Sequence, residues 1–207
     1  MKEVPMVHQN HSKTFRIGAA CCLIAAVGIA ASAVLMFGNE SQAQPRRERM
    51  ARTPRITYAV AEVHPLGDHK VSGKVTFTQT DEGIEVVADL TGLQPGEHGF
   101  HIHEFGDCSM ADGKCAGAHF NPTNQPHGGP DDAHRHVGDL GNIKADGQGH
   151  GTYKRVDKVI ALNGPRSIIG RAVIVHAEKD DFKSVASAGA RIGCGVIGIA
   201  DPKMAQH

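Results

Sequence analysis

The stretch GFHIHEFGDC, residues 99–108, places two histidines two positions apart, with apolar residues before and between them. Alternation with a period of two is typical of a β-strand, in which successive side chains point to opposite faces. His101 and His103 are therefore predicted to share one face of a strand, and Phe100 and Ile102 the other. Taken alone, the pattern leaves two interpretations open: solvated histidines on an exposed face, or two ligands of a metal ion.

Short alternating segments on both sides of this stretch extend the β pattern. They are separated by turns such as GDHK, DEG and PGE, and helical periodicity is almost absent. The candidate strands are ITYAVAEVHP (56–65), VSGKVTFTQ (71–79), IEVVADLTGL (84–93), GTYKRVDKVIAL (151–162), SIIGRAVIVHA (167–177) and RIGCGVIGIA (191–200). This series predicts an all-β fold, an antiparallel sandwich or barrel. Residues 105–150 are predicted to form one long loop, because they are rich in Gly, Asp, Asn, Pro and His.

The N-terminal part of the chain has the composition of a targeting segment. Residues 17–37 carry no charge, and Ser41 and Ala43 are small residues at the positions that a signal peptidase prefers, so residues 1–43 are predicted to be a signal peptide. The same apolar run is long enough to stay uncleaved as a membrane anchor, which is the one case in which we expect contact with a membrane. Both interpretations predict an exported protein, periplasmic or extracellular.

The rest of the chain is predicted to hold a flexible Arg- and Pro-rich lead-in, residues 44–56, and one domain, residues 57–207. The whole chain has 22 basic and 22 acidic residues, so no excess positive charge favours nucleic acid as a partner. Cys108, Cys115 and Cys194 lie in the domain. In an oxidising compartment, three cysteines are compatible with one disulfide and one remaining thiol.

The long loop carries three imidazoles and a carboxylate, those of His119, His127, His136 and Asp139. Three nitrogen ligands and one oxygen ligand complete a tetrahedral set, which is typical of structural zinc. A loop with so few apolar residues cannot order itself, so a bound metal would supply the order. The alternative is a polar surface loop whose histidines are incidental.

A second histidine cluster is predicted where the strand RAVIVH ends at His176. Val173 and Val175 are expected to face the core, so Ile174 and His176 would face outward, on the side that His101 and His103 also occupy. Three imidazoles suit copper, and a fourth nitrogen would complete the set that Cu(II) favours.

Six segments of the chain together resemble the copper/zinc superoxide dismutases, in the order and spacing of that family. They are GFHIHEFGD (99–107), GAHFNP (117–122), PHGGP (126–130), RHVGDLGN (135–142), IIGRAVIVH (168–176) and RIGCGVIGIA (191–200). The resemblance extends over residues 57–200, and within the family the chain is most similar to the exported bacterial members. It implies a Greek-key β-barrel with long metal-binding and electrostatic loops. It also implies dismutation of superoxide to oxygen and hydrogen peroxide by copper cycling between Cu(II) and Cu(I), beside a structural zinc.

The resemblance also implies a role for individual residues. His119 would bridge the two metals and pass a proton to the substrate, Asp180 would link His101 to His127, and Arg191 would attract and hold the anion. The implied copper ligands are His101, His103, His119 and His176, and the implied zinc ligands are His119, His127, His136 and Asp139.

Three further expectations concern cysteines, partners and charge. The resemblance implies the disulfide Cys108–Cys194, with Cys115–Cys194 as a rival that stays open. It implies a homodimer through Phe105, Gly106 and the C-terminal GVIGIA, and it allows for a copper donor protein. Only fourteen residues separate His176 from Arg191. Lys179 and Lys183 in this short segment either steer the substrate or are ordinary solvated lysines.

Two functions of other classes compete with the enzyme. One is a copper-delivery or copper-storage module on the same fold, although such proteins usually lack part of the copper set. The other is a structural domain that binds only zinc, which would need neither Arg191 nor His176.

Overall fold

The computed structural model describes residues 54–206 of the chain. The predicted signal peptide or anchor and most of the predicted lead-in lie outside the described residues. Within residues 54–206, no helix is both long and apolar enough to span a bilayer.

Eight strands form a single closed barrel. They are Tyr58–Pro65 (β1), Ser72–Gln79 (β2), Ile84–Thr91 (β3), Gly96–His103 (β4), Asp139–Ala145 (β5), Gly151–Asp157 (β6), Ala172–His176 (β7) and Arg191–Ile199 (β8). Around the barrel the order is β1-β2-β3-β6-β5-β4-β7-β8, with β8 paired to β1, and every pairing is antiparallel. Among the described residues the helical segments are two short 3-10 turns, Lys114–Ala116 and Pro202–Gln206. The all-β prediction is confirmed, with a Greek-key barrel as its form.

The interior of the barrel is filled by the apolar half of each alternating strand. In β3 the residues Ile84, Val86, Ala88 and Leu90 are buried in the core, and their neighbours along the strand face outward. Phe100 and Ile102 of β4 occupy the same core. The core rests mainly on aliphatic side chains, since the sequence has no Trp and aromatic residues make up only 4% of it.

The two histidines on the outer face of β4 are as fully buried as the side chains on its inner face. One interpretation of the sequence had the outer face exposed to solvent. His101 and His103 are both fully buried. Long loops after β4 and β7 cover them, so the alternating strand has loops rather than water on its outer side. Solvated histidines on an exposed strand face are therefore the wrong interpretation.

The prediction of one long loop over residues 105–150 is wrong at its C-terminal end, where β5 runs from Asp139 to Ala145. The pairing of β4 with β5 shifts by one residue: three residues of β4, from Gly99 to His101, lie opposite four of β5, from Asp139 to Asn142. Gly141 lies in this bulge with a φ of 91°. The bulge breaks the alternation, since Leu140 and Ile143 both enter the core although three positions separate them.

A second bulge lies between β7 and β8. His176 pairs with Arg191 while the preceding residue, Val175, pairs with Gly193, so β8 contains one extra residue. Val173 and Val175 face the core, as predicted, and the candidate strand 167–177 contracts to Ala172–His176. The bulge places Arg191 directly opposite His176, at the end of β7.

Candidate metal centre

The structure brings together the eight side chains that the sequence singled out for metal binding and for linking the metal sites, on one side of the barrel. Strand β4 supplies His101 and His103, and the ends of β7 and β5 supply His176 and Asp139. The remaining ones, His119, His127, His136 and Asp180, come from loops. Two groups have mutually close donor atoms, within 4.8 Å of one another: His101, His103, His119 and His176 in one, and His119, His127, His136 and Asp139 in the other.

In the first group, one nitrogen of each outer imidazole is used for a hydrogen bond. His101 Nε2 donates to Asp180 Oδ2 over 2.7 Å. His103 Nδ1 donates to the Gly117 carbonyl over 3.0 Å, and His176 Nδ1 donates to the Gly189 carbonyl over 3.2 Å. These bonds fix each ring and its tautomer, and they leave the second nitrogen as a lone pair.

Those second nitrogens are buried and have no hydrogen-bond partner within residues 54–206. They are His101 Nδ1, His103 Nε2 and His176 Nε2. Burial lowers the pKa of His101 to about 4 and that of His176 to about 3, and it holds the pKa of His103 well below its usual value. The three rings are therefore neutral near pH 7, which is the form that coordinates a metal.

In the second group, three imidazole nitrogens converge on one carboxylate. Asp139 Oδ1 lies 2.8 Å from His119 Nδ1 and 3.1 Å from His136 Nδ1, and Asp139 Oδ2 lies 3.1 Å from His127 Nδ1. His119 Nδ1 and His136 Nδ1 are 3.4 Å apart. Burial disfavours the charged form of Asp139, but the three histidines outweigh it and hold the pKa of this carboxyl far below its usual range.

His127 differs from the histidines of the first group in its charge. Burial disfavours its cation, but the carboxylates of Asp139 and Asp180 prevail and raise the pKa of His127 to about 10. His127 Nδ1 is buried and makes no hydrogen bond within the described residues, despite its short distance to Asp139. Without a metal, a proton occupies this second ring nitrogen at neutral pH.

His119 belongs to both groups. Its Nδ1 faces Asp139, and its ring lies between the two sets, with centroid distances of 4.1 Å to His101 and 5.3 Å to His127. A short pairing of its main chain with His103 holds the loop that carries it against β4. Because the two nitrogens of one imidazole point in opposite directions, its Nε2 is left for the first group.

Asp180 connects the two groups through both of its oxygens. Oδ2 accepts from His101 and Oδ1 accepts from His127 Nε2 over 3.0 Å. Burial disfavours the charged form of this carboxyl too, but the two histidines prevail and hold its pKa well below the usual range. Asn142 and the main-chain N–H of Phe182 also bond to Asp180. Nothing in the local sequence pattern marks Asn142 as a partner of a residue 38 positions away.

A cavity of about 380 Å³ opens onto these histidines. Arg191 lies in its wall, with Nη1 donating to the Gly113 carbonyl over 2.6 Å and Nη2 donating to the Gly117 carbonyl over 2.7 Å. Burial lowers the pKa of Arg191, but a guanidinium stays charged at any physiological pH. The wall consists of His103, Ala118, His119, Asn121, His136, His176, Val185, Gly189 and Arg191.

The two lysines near this cavity have different surroundings. Lys179 Nζ forms an ion pair with Glu97 across 2.5 Å, with both side chains largely exposed. Lys183 is exposed.

The loop between β4 and β5 is fixed by two devices besides any metal. Arg135 is buried and donates to the carbonyls of His136, Val137 and Asp139, and it forms an ion pair with Asp157. The expectation that a metal alone orders this loop is therefore incomplete. At its start, Cys108 and Cys194 form a disulfide, as the resemblance implies, and Cys115 is the free cysteine of the described residues.

The donor chemistry fits one copper and one zinc. Four imidazoles, three of them with an orphaned buried nitrogen, are a set that suits copper. Three imidazole nitrogens with one carboxylate oxygen form the closed tetrahedral set that suits structural zinc.

Comparison with known proteins gives the same family. The family described as copper/zinc superoxide dismutase (SODC) matches residues 71–197. A crystal structure of a protein described as the clock protein EA4 is 41% identical in sequence, with a TM-score of 0.67, and the match covers 72% of this chain and 98% of that one. The chain belongs to the copper/zinc superoxide dismutase family.

Proposed function

We propose that this protein dismutates superoxide to oxygen and hydrogen peroxide. Copper would be held by His101, His103, His119 and His176, and zinc by His119, His127, His136 and Asp139. The observation that carries the proposal is the set of orphaned imidazole nitrogens, buried in a dry site beneath a cavity whose wall holds a fixed guanidinium. A domain that only bound zinc would require neither His176 nor Arg191.

The chain's own residues bind the substrate and supply a proton. Arg191 offers a forked, permanently charged donor to a small anion in the cavity, and its two carbonyl contacts keep the fork in place. His119 would pass a proton from Nε2 to the reduced oxygen species in the step in which that nitrogen does not bind copper, while its Nδ1 stays on the Asp139 side. When bound, copper supplies the one-electron couple between Cu(II) and Cu(I). Two superoxide anions and two protons then give one oxygen and one hydrogen peroxide.

The test combines metal analysis with a superoxide-consumption assay on the purified protein. We expect about one copper and one zinc per chain, with rapid consumption of superoxide. An inactive protein with both metals would instead favour copper storage or delivery, and zinc without copper would favour a structural domain. The similar structure is described as a clock protein, a name that specifies no reaction. That name gives no evidence for or against dismutase activity, so the assay on this protein decides.

Arg191 provides the sharper test of substrate binding. We expect Arg191→Ala to retain both metals and to lose superoxide consumption by at least about tenfold, because the anion loses its local cation. Arg166→Ala is the matched control, since Arg166 is an exposed arginine on the surface. Equal activities of the two variants would contradict the role of Arg191.

We further propose that the protein is exported and acts as a homodimer. The disulfide supports an oxidising compartment. Phe105, Val196 and Ile199 are large apolar side chains with 53%, 45% and 64% exposure. Sedimentation should show a dimer for the wild type and a monomer for Ile199→Asp. Export is tested separately: N-terminal sequencing of the secreted form should show cleavage after Ala43. Whether copper loading needs a donor protein is tested by adding Cu(II) alone to the metal-free protein.

A further inference from the structure

The loop between β7 and β8 lies over the metal centre, and one of its residues contacts both ligand groups. Asp180 reaches His101 with one oxygen and His127 with the other. A carboxylate can do this only if its main chain is held at a fixed position and angle, since a rotation of the peptide would carry both oxygens away from the rings. The question is what holds that main chain.

The peptide groups of Asp180 are bonded from both sides by one side chain. Asn142 Oδ1 accepts from the Asp180 N–H over 2.8 Å, and Asn142 Nδ2 donates to the Asp180 carbonyl over 3.0 Å. A planar amide that makes both bonds fixes the orientation of the main chain as well as its distance. Asp180 itself is fully buried and Asn142 is partly buried, so these bonds are partly shielded from water.

The bulge in β5 explains why Asn142 is available for this task. Asp139 and Asn142 are three residues apart, and in a regular strand they would face opposite sides. The extra residue at Gly141 shifts the alternation, so that Leu140 and Ile143 enter the core while Asp139 and Asn142 both face the covering loops. One strand therefore supplies a zinc ligand and the support for the carboxylate that joins the two groups.

We propose that Asn142 is a positioning residue of the metal centre, which acts on His101 and His127 through the main chain of Asp180. The proposal rests on the metal sites of the proposed function. It predicts that removal of the Asn142 amide loosens the hold on His127 and so speeds the loss of zinc, with the fold unchanged.

The chain offers a matched control far along the sequence. Asn163 makes the same pair of bonds to a different residue: its Oδ1 accepts from the Ile56 N–H over 3.0 Å, and its Nδ2 donates to the Ile56 carbonyl over 2.8 Å. Neither Asn163 nor Ile56 belongs to the two ligand groups. Asn163→Ala thus removes the same two bonds without touching the centre.

The experiment compares Asn142→Ala, Asn163→Ala and the wild type, each loaded with copper and zinc. Zinc release is followed with a colorimetric chelator under native conditions. We expect release to be at least about fivefold faster in Asn142→Ala, which is below the tenfold or more expected for a residue that bonds a metal ligand directly, because Asn142 acts through Asp180. Asn163→Ala should release zinc within about twofold of the wild type. Equal rates in all three proteins, or equal acceleration in both variants, would overturn the proposal.

A measurement on the wild type decides the matter if Asn142→Ala does not fold. In the zinc-loaded protein, hydrogen exchange at the Asp180 amide should be as slow as at amides inside β4, because Asn142 accepts that proton and Asp180 itself is buried. Fast exchange at Asp180 with slow exchange in β4 would overturn the proposal. Neither readout uses superoxide, so a protein that binds both metals without dismutase activity would refute the proposed function and leave this inference intact.

Discussion

At the residue scale, one ring nitrogen of each outer histidine in the first group is committed to the protein and the other is left without a partner. An unpartnered polar atom in a dry interior costs about 1–3 kcal/mol. Three such atoms around one point are costly for the metal-free fold, and a bound cation removes that cost. The metal-free protein is therefore expected to be the less stable form.

The two groups should lose their metals independently. His176 belongs only to the first group and Asp139 only to the second. We expect His176→Ala to lose copper and activity while it keeps zinc and the fold, because its cavity-lining ring is replaced without disturbing Asp139. Asp139→Ala should release zinc and loosen residues 120–138. Metal analysis of both variants checks this, and the opposite pattern of metal loss would show that the ligand sets are assigned wrongly.

Proton release on metal binding should distinguish the groups near pH 7. The pKa of His127 is raised to about 10, so its ring is a cation there, and zinc must displace a proton from Nδ1. The pKa values of His101 and His176 are lowered to about 4 and 3, so these rings are already neutral. The apparent zinc affinity should thus rise with pH by up to about tenfold per unit below pH 10 through His127. Copper binding should show no such contribution from His101, His103 or His176.

Titration calorimetry in two buffers with different ionisation enthalpies measures the protons released. At least one should accompany zinc, and none from His101, His103 or His176 should accompany copper. The shared ring of His119 can give up one proton when it binds both metals, so a copper titration that released two or more protons would contradict the lowered pKa values of the first group.

At the element scale, two bulges determine which side chains meet. The bulge in β5 brings Asp139 and Asn142 to the same side of the sheet, and the bulge in β8 sets Arg191 opposite His176. Each uses one additional residue to change the direction of a functional side chain, which is a common use of bulges next to active sites. The chemistry of the centre thus depends on irregularities in strands that are otherwise regular.

Gly141, in the bulge of β5, should tolerate an added side chain poorly. Its φ of 91° is unfavourable for other residues, and an added Cβ would lie 3.0 Å from Pro130 in the loop that carries the second ligand group. We expect Gly141→Ala to lower the free energy of unfolding by about 1–2 kcal/mol and to weaken zinc retention. Gly147→Ala is the control, because nothing lies within 4 Å of its added Cβ. Urea unfolding of the zinc-loaded variants measures the difference, and similar losses in both would argue against a special role for the bulge.

The sequence predicts regular elements well and irregular ones badly. Alternation in ITYAVAEVHP and IEVVADLTGL leads directly to β1 and β3, because one face of each meets the core. Alternation fails for β5, where DLGNIKA contains a glycine bulge and residues of low β propensity. The candidate ligands could be picked out because the six segments that carry them resemble those of the copper/zinc superoxide dismutases. Asn142 and Arg135 could not, since their partners are set by tertiary contacts.

At the scale of the whole molecule, the disulfide joins the loop after β4 to β8, across 86 positions of sequence. A crosslink over so long a segment limits the unfolded chain, so Cys108→Ser should lower the free energy of unfolding by about 2–5 kcal/mol. Cys115→Ser should leave it nearly unchanged. Chemical unfolding under non-reducing conditions compares the two variants. A large loss in Cys115→Ser together with a small one in Cys108→Ser would favour the rival pairing of Cys115 with Cys194.

The ring of eight strands has a consequence for assembly. Since β8 pairs with β1, every strand of the described barrel has a neighbour on both sides, and the shortest seam is that between β5 and β6, which pair at two positions. A second copy finds no strand whose whole edge is free, so we expect association of two molecules to use side chains on their outer surfaces. Growth into ribbons or fibres by strand addition would first require one seam of the ring to come apart, and intact molecules are protected against it for as long as that seam holds.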